Sequence, residues 1–420
     1  MLDFDDAAAC GRGAVNRSLI KLKKVMGMEF ESAQAAAERL GVTVRAIQKW
    51  AKDGLIPGAQ KAGRDWQIPK EATRPKDASE VTNGPKPKVL HVTLPLLNSA
   101  FSIGHCREYI ESIPDEDDRK IALGEYYFYS GQAEKAAKIF EPYLDSEDTS
   151  LKYSASFMYF FTNLSRGHIH LARFGLDVLK KDIFYGIEQE KTELMNATAI
   201  FTGVTASVLM HIPTPEMPPL SEYIKHLPQG IRLYACYVLA YEAYLDEDYS
   251  RSLAIADIAL CMTPEVYPIA CIYLHTIAAM NLMNMKRVEE AKKRFMTAWE
   301  LAQPDDLIEC FAEHHGLLQG ILEVVLKKKY AQDFERIITV TRSFNTGWRN
   351  MYSMVAKKSI ADNLTTMEFT IAMLYNRGWT VKEIAAHMEV SDRTVNNYIQ
   401  IIYAKLGITG KKELAQFMQR

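Results

Sequence analysis

A group of hydrogen-bonding and basic side chains near the C-terminus has the residue types and spacing best suited to chemistry in this 420-residue chain. If residues 392–406 form a helix, its outward face carries Arg393, Thr394, Asn396, Asn397, Gln400 and Lys405. These are donors, acceptors and cations with few acids, and a helix of this width fits the major groove of DNA. Asn and Gln can also hold adenine through two hydrogen bonds. The pattern predicts a surface that contacts nucleic acid.

Three further helices are predicted to position this face. Thr365 followed by Glu368 is a capping box that opens the first helix, while Thr380 and Ser391 are N-caps of the second and third. In the third helix the apolar residues recur at i, i+4, i+7 and i+11, as Val395, Ile399, Ile402 and Leu406. A fourth helix is predicted over 411–419. Residues 362–420 are therefore expected to form a four-helix module.

The stretch KEIAAHMEVSDRTVNNYIQIIYAKLG, residues 382–407, closely resembles the LuxR-type (GerE-like) DNA-binding domain. The resemblance implies a module that pairs through its last helix on a two-fold site. It also implies that Asn396, Asn397 and Gln400 read bases, and that the phosphate contacts are Lys382, Arg393, Thr394 and Lys405. The family usually has lysine at 396 and often histidine at 398, so the base preference stays open. The alternative is a four-helix fragment with a solvated polar face.

Residues 28–72 have the pattern of a second helix-turn-helix. Ser32 and Thr43 are predicted N-caps on either side of Gly41, and residues 59–68 alternate around Gly63 like a wing. This segment resembles the winged helix-turn-helix of the MerR and excisionase-like proteins. The candidate DNA contacts are Thr43, Arg45, Gln48, Lys49 and Arg64. The alternative is a module that docks protein.

Two segments outside these modules lack a folded pattern. Residues 1–27 are interpreted as a disordered or mis-assigned extension, with translation beginning at Met26 or Met28 as a hypothesis. Residues 73–98 are rich in Pro, Gly, Asn and Ser and are predicted to be a linker.

Residues 99–360 carry a repeated helical pattern. Gly124, Tyr127, Gly131, Ala136 and Phe140 have the spacing of a tetratricopeptide repeat, and weaker copies place small residues at 172, 252 and 291. The long step from 172 to 252 predicts a further degenerate unit with helices over 194–210 and 219–226. The segment thus resembles the helical arrays of MalT-type LuxR regulators.

Such an α-solenoid offers a concave surface to peptides, proteins or small ligands. The aromatic residues that either line this groove or pack between helices are Tyr126, Tyr127, Phe157, Tyr159, Phe160, Tyr237, Tyr241 and Tyr244.

Several function classes lack support in the sequence. No G-x-x-x-x-G-K-[ST] loop, nucleophile–base set or carboxylate pair is found, so we expect no ATPase and no other enzyme. We expect no cofactor and no metal, because the histidines and the six scattered cysteines lack metal-site spacing. No apolar run long enough for a membrane span occurs. Residues 28–76 and 362–420 are slightly basic although the whole chain has a net charge of −2.

The sequence predicts a mainly α protein in which a tetratricopeptide-like α-solenoid is flanked by an N-terminal winged helix-turn-helix and a C-terminal LuxR-type domain. The expected function is a cytoplasmic bacterial transcription regulator that binds double-stranded DNA as a homodimer. Its helical repeats would sense an effector or bind a protein partner, and RNA polymerase is a further candidate partner. The alternative is a helical-repeat interaction scaffold without specific DNA binding.

Overall fold

The computed structural model describes residues 30–52, 55–56, 59–63, 65–73, 91–185, 192–211, 217–356 and 364–418. The chain divides into two compact units, residues 1–90 and 91–420. The fold is mainly α, as predicted. The predicted extension 1–27 and residues 74–90 of the predicted linker lie outside the described residues.

The N-terminal unit combines two short helices with a three-stranded sheet. In chain order the elements are β1 Phe30–Ser32, α1 Ala33–Leu40, α2 Val44–Lys52, β2 Gln60–Ala62 and β3 Asp65–Pro69. The sheet order is β1-β3-β2, all antiparallel, with Glu31 opposite Ile68 and Lys61 opposite Trp66. The predicted wing is therefore β2 and β3, whereas β1 is not predicted, because three residues that end at a helix cap carry no readable alternation.

Small side chains let α1 and α2 approach closely. Ala36, Ile47 and Ile68 are fully buried, so the wing strand β3 closes the core of this unit. The Ser32 hydroxyl accepts a hydrogen bond from the Ala35 amide, and Gly41 ends α1 in the left-handed conformation at φ +63°. Both predicted signals for α1 are confirmed.

The second unit begins with a short helix and continues as successive helical hairpins. These elements are α3 Cys106–Ser112, α4 Glu116–Tyr129, α5 Ala133–Phe140, α6 Thr149–Ser165, α7 Ile169–Tyr185, α8 Glu193–Leu209, α9 Leu220–Tyr223, α10 Gln229–Leu245, α11 Tyr249–Leu260, α12 Pro268–Asn284 and α13 Val288–Ala302. The predicted degenerate unit corresponds to α8 and α9. The hairpins pack side by side because each first helix contacts its own partner and the next hairpin.

Two short helices and one long helix follow the hairpins, and four helices complete the C-terminus. They are α14 Glu309–Glu313, α15 Ile321–Val325, α16 Ala331–Ala356, α17 Thr366–Asn376, α18 Val381–Met388, α19 Asp392–Leu406 and α20 Lys411–Leu414.

The same turn joins the two helices of four hairpins. A residue in the left-handed conformation follows each first helix, and these residues are Gly131, Gly167, Glu247 and Lys286, at φ +71°, +73°, +61° and +58°. The next amide then donates to the carbonyl five residues earlier, for example Gln132 to Tyr127 at 2.7 Å and Arg287 to Leu282 at 2.9 Å. This is the Schellman pattern, which satisfies the terminal carbonyls of the first helix.

The small residues predicted as anchors sit where paired helices touch. Ala136, Ala172, Ser252 and Ala291 are each fully buried. A Cβ on Gly124 would lie 2.6 Å from the Phe140 ring, so only glycine fits there. The hairpins are thus present at the predicted places, while their assignment to the tetratricopeptide class stays a prediction.

The long helix α16 returns across the hairpins. The Gly347 backbone packs directly on the Leu164 carbonyl at the end of α6, where a side chain has no room. The Trp348 indole donates to the Leu209 carbonyl of α8 at 3.0 Å. Because α14 and α16 cover the first helices of the hairpins, most of the eight predicted groove aromatics are buried core residues.

The predicted linker ended at residue 98, but residues 91–98 pack within the second unit. Leu94, Leu96 and Leu97 are buried, and the Leu96 and Leu97 amides donate to the Glu125 carboxyl at 3.0 and 2.9 Å. The boundary was wrong because apolar burial outweighs the nearby prolines and glycine.

Candidate nucleic-acid interface

Three side-chain caps fix the C-terminal helix-turn-helix. Thr365 with Glu368 forms a complete capping box on α17, and Thr380 with Glu383 forms another on α18. The Ser391 hydroxyl accepts from the Thr394 amide at 3.1 Å and starts α19. All three predicted N-caps are confirmed.

The helix α19 buries one face and exposes the other. Val395, Ile399 and Ile402 are 0 %, 6 % and 1 % exposed, so they anchor the helix to its neighbours. On the opposite side Arg393, Asn396, Asn397 and Gln400 are exposed, whereas Thr394 is half-buried and contacts the Ser391 hydroxyl at 2.8 Å. The structure therefore brings the three predicted base readers together on one accessible face.

The two predicted lysine contacts differ in their surroundings. Lys382 is exposed near the start of α18. The Lys405 ammonium instead lies 2.9 and 2.8 Å from the two carboxylate oxygens of Glu368. Burial opposes ionisation of Glu368, but this ammonium and the Thr365 amide outweigh it and lower the pKa of the carboxyl. A phosphate contact by Lys405 stays a prediction.

The N-terminal helix-turn-helix also exposes its predicted contacts. The Thr43 hydroxyl accepts from the Ala46 amide at 3.3 Å and caps α2, and Arg45, Gln48 and Lys49 are exposed along that helix. Their spacing places the last three on one helical face. The predicted wing contact Arg64 lies outside the described residues.

The C-terminal module is docked on the hairpins through α18, a contact that the sequence did not predict. The His387 imidazole lies 2.8 Å from the Gln319 carbonyl through Nε2, and both residues are buried. The adjacent Gly320, at φ +87°, packs directly on the Met388 side chain. Burial lowers the pKa of His387 although the Gln319 carbonyl opposes this.

Polar contacts surround this docked helix. The Lys286 ammonium lies 3.0 Å from Glu383, and the Lys328 ammonium lies 2.5 Å from Glu389. The Arg377 guanidinium donates to the Tyr244 hydroxyl at 3.0 Å. Both lysines lie in turns, where the helical spacing of the sequence does not predict an ion-pair partner. The docking leaves the polar face of α19 exposed.

A small cavity of about 30 Å³ lies between the hairpins and α16. It is lined by Phe161, Leu164, Leu209, His211, Tyr241, Glu313, His314, Leu317, Phe344 and Trp348. Residues 314–320, which we call the strap, connect the cavity wall at His314 and Leu317 to the docking contacts at Gln319 and Gly320. Of the proposed groove aromatics, Tyr241 lines this cavity.

Within the described residues no helix combines the length and apolar character needed to cross a membrane.

Comparison with known families identifies both ends of the chain. Residues 362–418 match the model of the bacterial regulatory proteins of the luxR family, and residues 32–72 match a helix-turn-helix domain model. No curated protein and no solved structure matches the chain. The chain therefore carries a LuxR-family helix-turn-helix at its C-terminus and a second helix-turn-helix near its N-terminus. Two DNA-binding families in one chain indicate a DNA-binding transcription regulator.

Proposed function

We propose that this regulator binds a specific operator through α19 and that its hairpin domain senses an effector that adjusts this binding. The observation that carries the proposal is the exposed row of Asn396, Asn397 and Gln400 on a helix whose apolar side is fully anchored. Amide side chains on a rigid helix can form paired hydrogen bonds with base edges in the major groove. Arg393 and Lys382 flank this row as cations for phosphates.

The strap supports the link between effector and DNA. It contributes His314 and Leu317 to the cavity wall and Gln319 and Gly320 to the contact with α18. A ligand that displaces the strap would change the docking equilibrium of the DNA-binding module. Such a ligand acts only through its different affinity for the docked and undocked states.

We further propose that the protein works in the cytoplasm as a homodimer on a two-fold site, with the N-terminal module as a second DNA contact. Exposed Arg45, Gln48 and Lys49 support the second contact. A regulator that activates transcription would also contact RNA polymerase, and this contact is part of the same proposal.

The test is sequencing of genomic fragments bound by the full-length protein. Wild-type protein should enrich a shared motif, and the double variant Asn396→Ala/Gln400→Ala should lose it. The double variant Arg45→Ala/Lys49→Ala should retain the motif but weaken binding to the flanking sequence. A wild-type protein that enriches no motif would leave a helical interaction scaffold as the function.

A further inference from the structure

Lysines of the hairpin domain flank the docked helix α18 at both ends. The Lys286 ammonium lies 3.0 Å from Glu383 in the first turn of α18, and the Lys328 ammonium lies 2.5 Å from Glu389, which directly follows the helix. Neither lysine belongs to the helix-turn-helix itself. The pair at Glu389 is the one nearer to the start of the reading helix α19, because this residue lies in the turn between α18 and α19.

The lysine that pairs with Glu389 belongs to a run of three. Residues 327–329 are consecutive lysines, all exposed, in the turn between α15 and α16. We call residues 326–330 the basic turn; the Tyr330 amide closes it by donating to the Leu326 carbonyl at 2.7 Å. The preceding helix α15 packs against α18. This packing and the ion pair after α18 together fix the basic turn beside the helix-turn-helix.

Little of the charge of the basic turn is neutralised within the protein. Lys327 and Lys329 form no ion pair with any residue that the structure describes. The acids closest to them in the chain have partners of their own, since Glu323 is buried 2.9 Å from a histidine and Asp333 lies 3.7 Å from an arginine. The Lys328 side chain is 82 % exposed, and exposed ion pairs of this kind are weak. All three ammonium groups can therefore meet an external anion.

The geometry of helix-turn-helix binding identifies that anion. The second helix of the motif enters the major groove by its N-terminal end, while the first helix crosses the DNA backbone. Here α18 is the first helix, and Glu389 lies three residues before Asp392, where α19 begins. A group in contact with Glu389 is therefore beside the DNA backbone when α19 reads bases. Lysines at such a place bind phosphates without regard to sequence.

We propose that the basic turn binds the phosphate backbone next to the bases that α19 reads, so that the hairpin domain supplies part of the DNA interface while α18 stays docked on it. The inference rests on the proposed function, because it takes α19 as the reading helix. It also gives an effector a way to change affinity, since undocking of α18 would separate these lysines from the DNA.

The experiment uses the full-length double variant Lys327→Gln/Lys329→Gln, which removes two charges and keeps the pair between Lys328 and Glu389. The slope of log affinity against log salt should become shallower by about two, because each phosphate contact contributes about 0.9. The enriched DNA motif should not change, since phosphate contacts do not depend on sequence. Hydrogen exchange of residues 381–388 should match the wild type. A shallower slope together with lost protection there would assign the effect to docking and overturn the direct contact.

A map of single phosphates adds a positional readout. Neutral methylphosphonate linkages replace the phosphates of a motif duplex one at a time. Wild-type protein should lose affinity at one or two positions beside the motif where the double variant loses none, because the lysines that meet these phosphates are absent from the variant. Equal losses in both proteins at every position would overturn the proposal.

The matched control is Lys135→Gln/Lys138→Gln, which removes two exposed lysines from α5 in the first hairpin and should leave the salt slope unchanged. The same change of slope in this control would show a general charge effect and overturn the proposal. A wild-type protein that enriches a motif, with the same salt slope as the basic-turn variant, would overturn the basic turn and leave the regulator intact. A wild-type protein that enriches no motif would overturn both.

Discussion

Single residues on α19 determine what the protein can recognise. Val395, Ile399 and Ile402 hold the helix, so the exposed Asn396 and Gln400 can be changed without disturbing the core. Direct readout of a base through two hydrogen bonds contributes about 1–3 kcal/mol of discrimination.

We expect Asn396→Ala or Gln400→Ala to weaken operator binding by ~1–3 kcal/mol and to relax base preference at one position. Affinity and preference are measured with a library of operator variants. Gln332→Ala, an exposed amide on α16, is the matched control and should change neither. Unchanged affinity in both α19 variants would remove this face as the reading surface.

A second prediction concerns the cations. Arg393→Ala should reduce the slope of log affinity against log salt by about one, because one phosphate contact is lost. Lys405→Ala should reduce the slope by much less, because Glu368 already neutralises the ammonium at 2.8 Å. Its main effect should be lower stability of the module. Equal slope changes in the two variants would show that Lys405 leaves Glu368 to contact DNA.

Local signals explain which elements could be predicted from the sequence. The caps at Thr365, Thr380 and Ser391 depend on contacts three residues away, so a short stretch of sequence contains the whole interaction. The exposed face of α19 could be predicted for the same reason, because it depends only on the spacing of residues within that helix. The strand β1, the return of α16 and the docking of α18 depend on partners far along the chain, which no periodicity reveals.

The contact between the strap and α17, which lies beside the docked helix α18, gives a prediction at the scale of elements. A Cβ on Gly316 would lie 2.5 Å from the Phe369 ring of α17, and this glycine needs no left-handed backbone. Gly316→Ala should therefore cost ~1–3 kcal/mol by overpacking and raise hydrogen exchange in residues 381–388. Gly410→Ala, where a Cβ meets no atom within 4 Å, is the control.

A second substitution that removes the clash between residue 316 and the Phe369 ring tests this explanation. The double variant Gly316→Ala/Phe369→Leu should recover most of the lost protection, since the smaller side chain makes room. If the double variant exchanges as fast as Gly316→Ala alone, the steric explanation fails.

At the scale of the whole molecule, docking should depend on pH through His387. Burial lowers its pKa in the docked state, whereas a released module would protonate near the ordinary value of 6.5. Undocking therefore takes up a proton, so docking is full above pH 6.5 and weakens as the pH falls below it. The docking carboxylates Glu383 and Glu389 have lowered pKa values and stay ionised in this range.

Hydrogen exchange of residues 381–388 at pH 7.5 and 5.5, corrected for intrinsic rates, measures this effect. Protection should decrease at the lower pH in the wild type. His387→Gln retains a donor for the Gln319 carbonyl and cannot titrate, so its protection should change less. The same loss in both proteins would assign the effect to another group.

The return of α16 across the hairpins affects how the second unit folds and whether hairpins can be gained or lost. An open stack of repeats folds by spreading from any nucleus and tolerates the gain or loss of a unit. Here Gly104 is tied to Asp305 across 201 positions, and Trp348 to Leu209 across 139. Such contacts between distant positions favour folding of the hairpins together, and more slowly than an open stack with only local contacts. Removing one hairpin would break these contacts, so the number of hairpins should be fixed and variation confined to exposed turns.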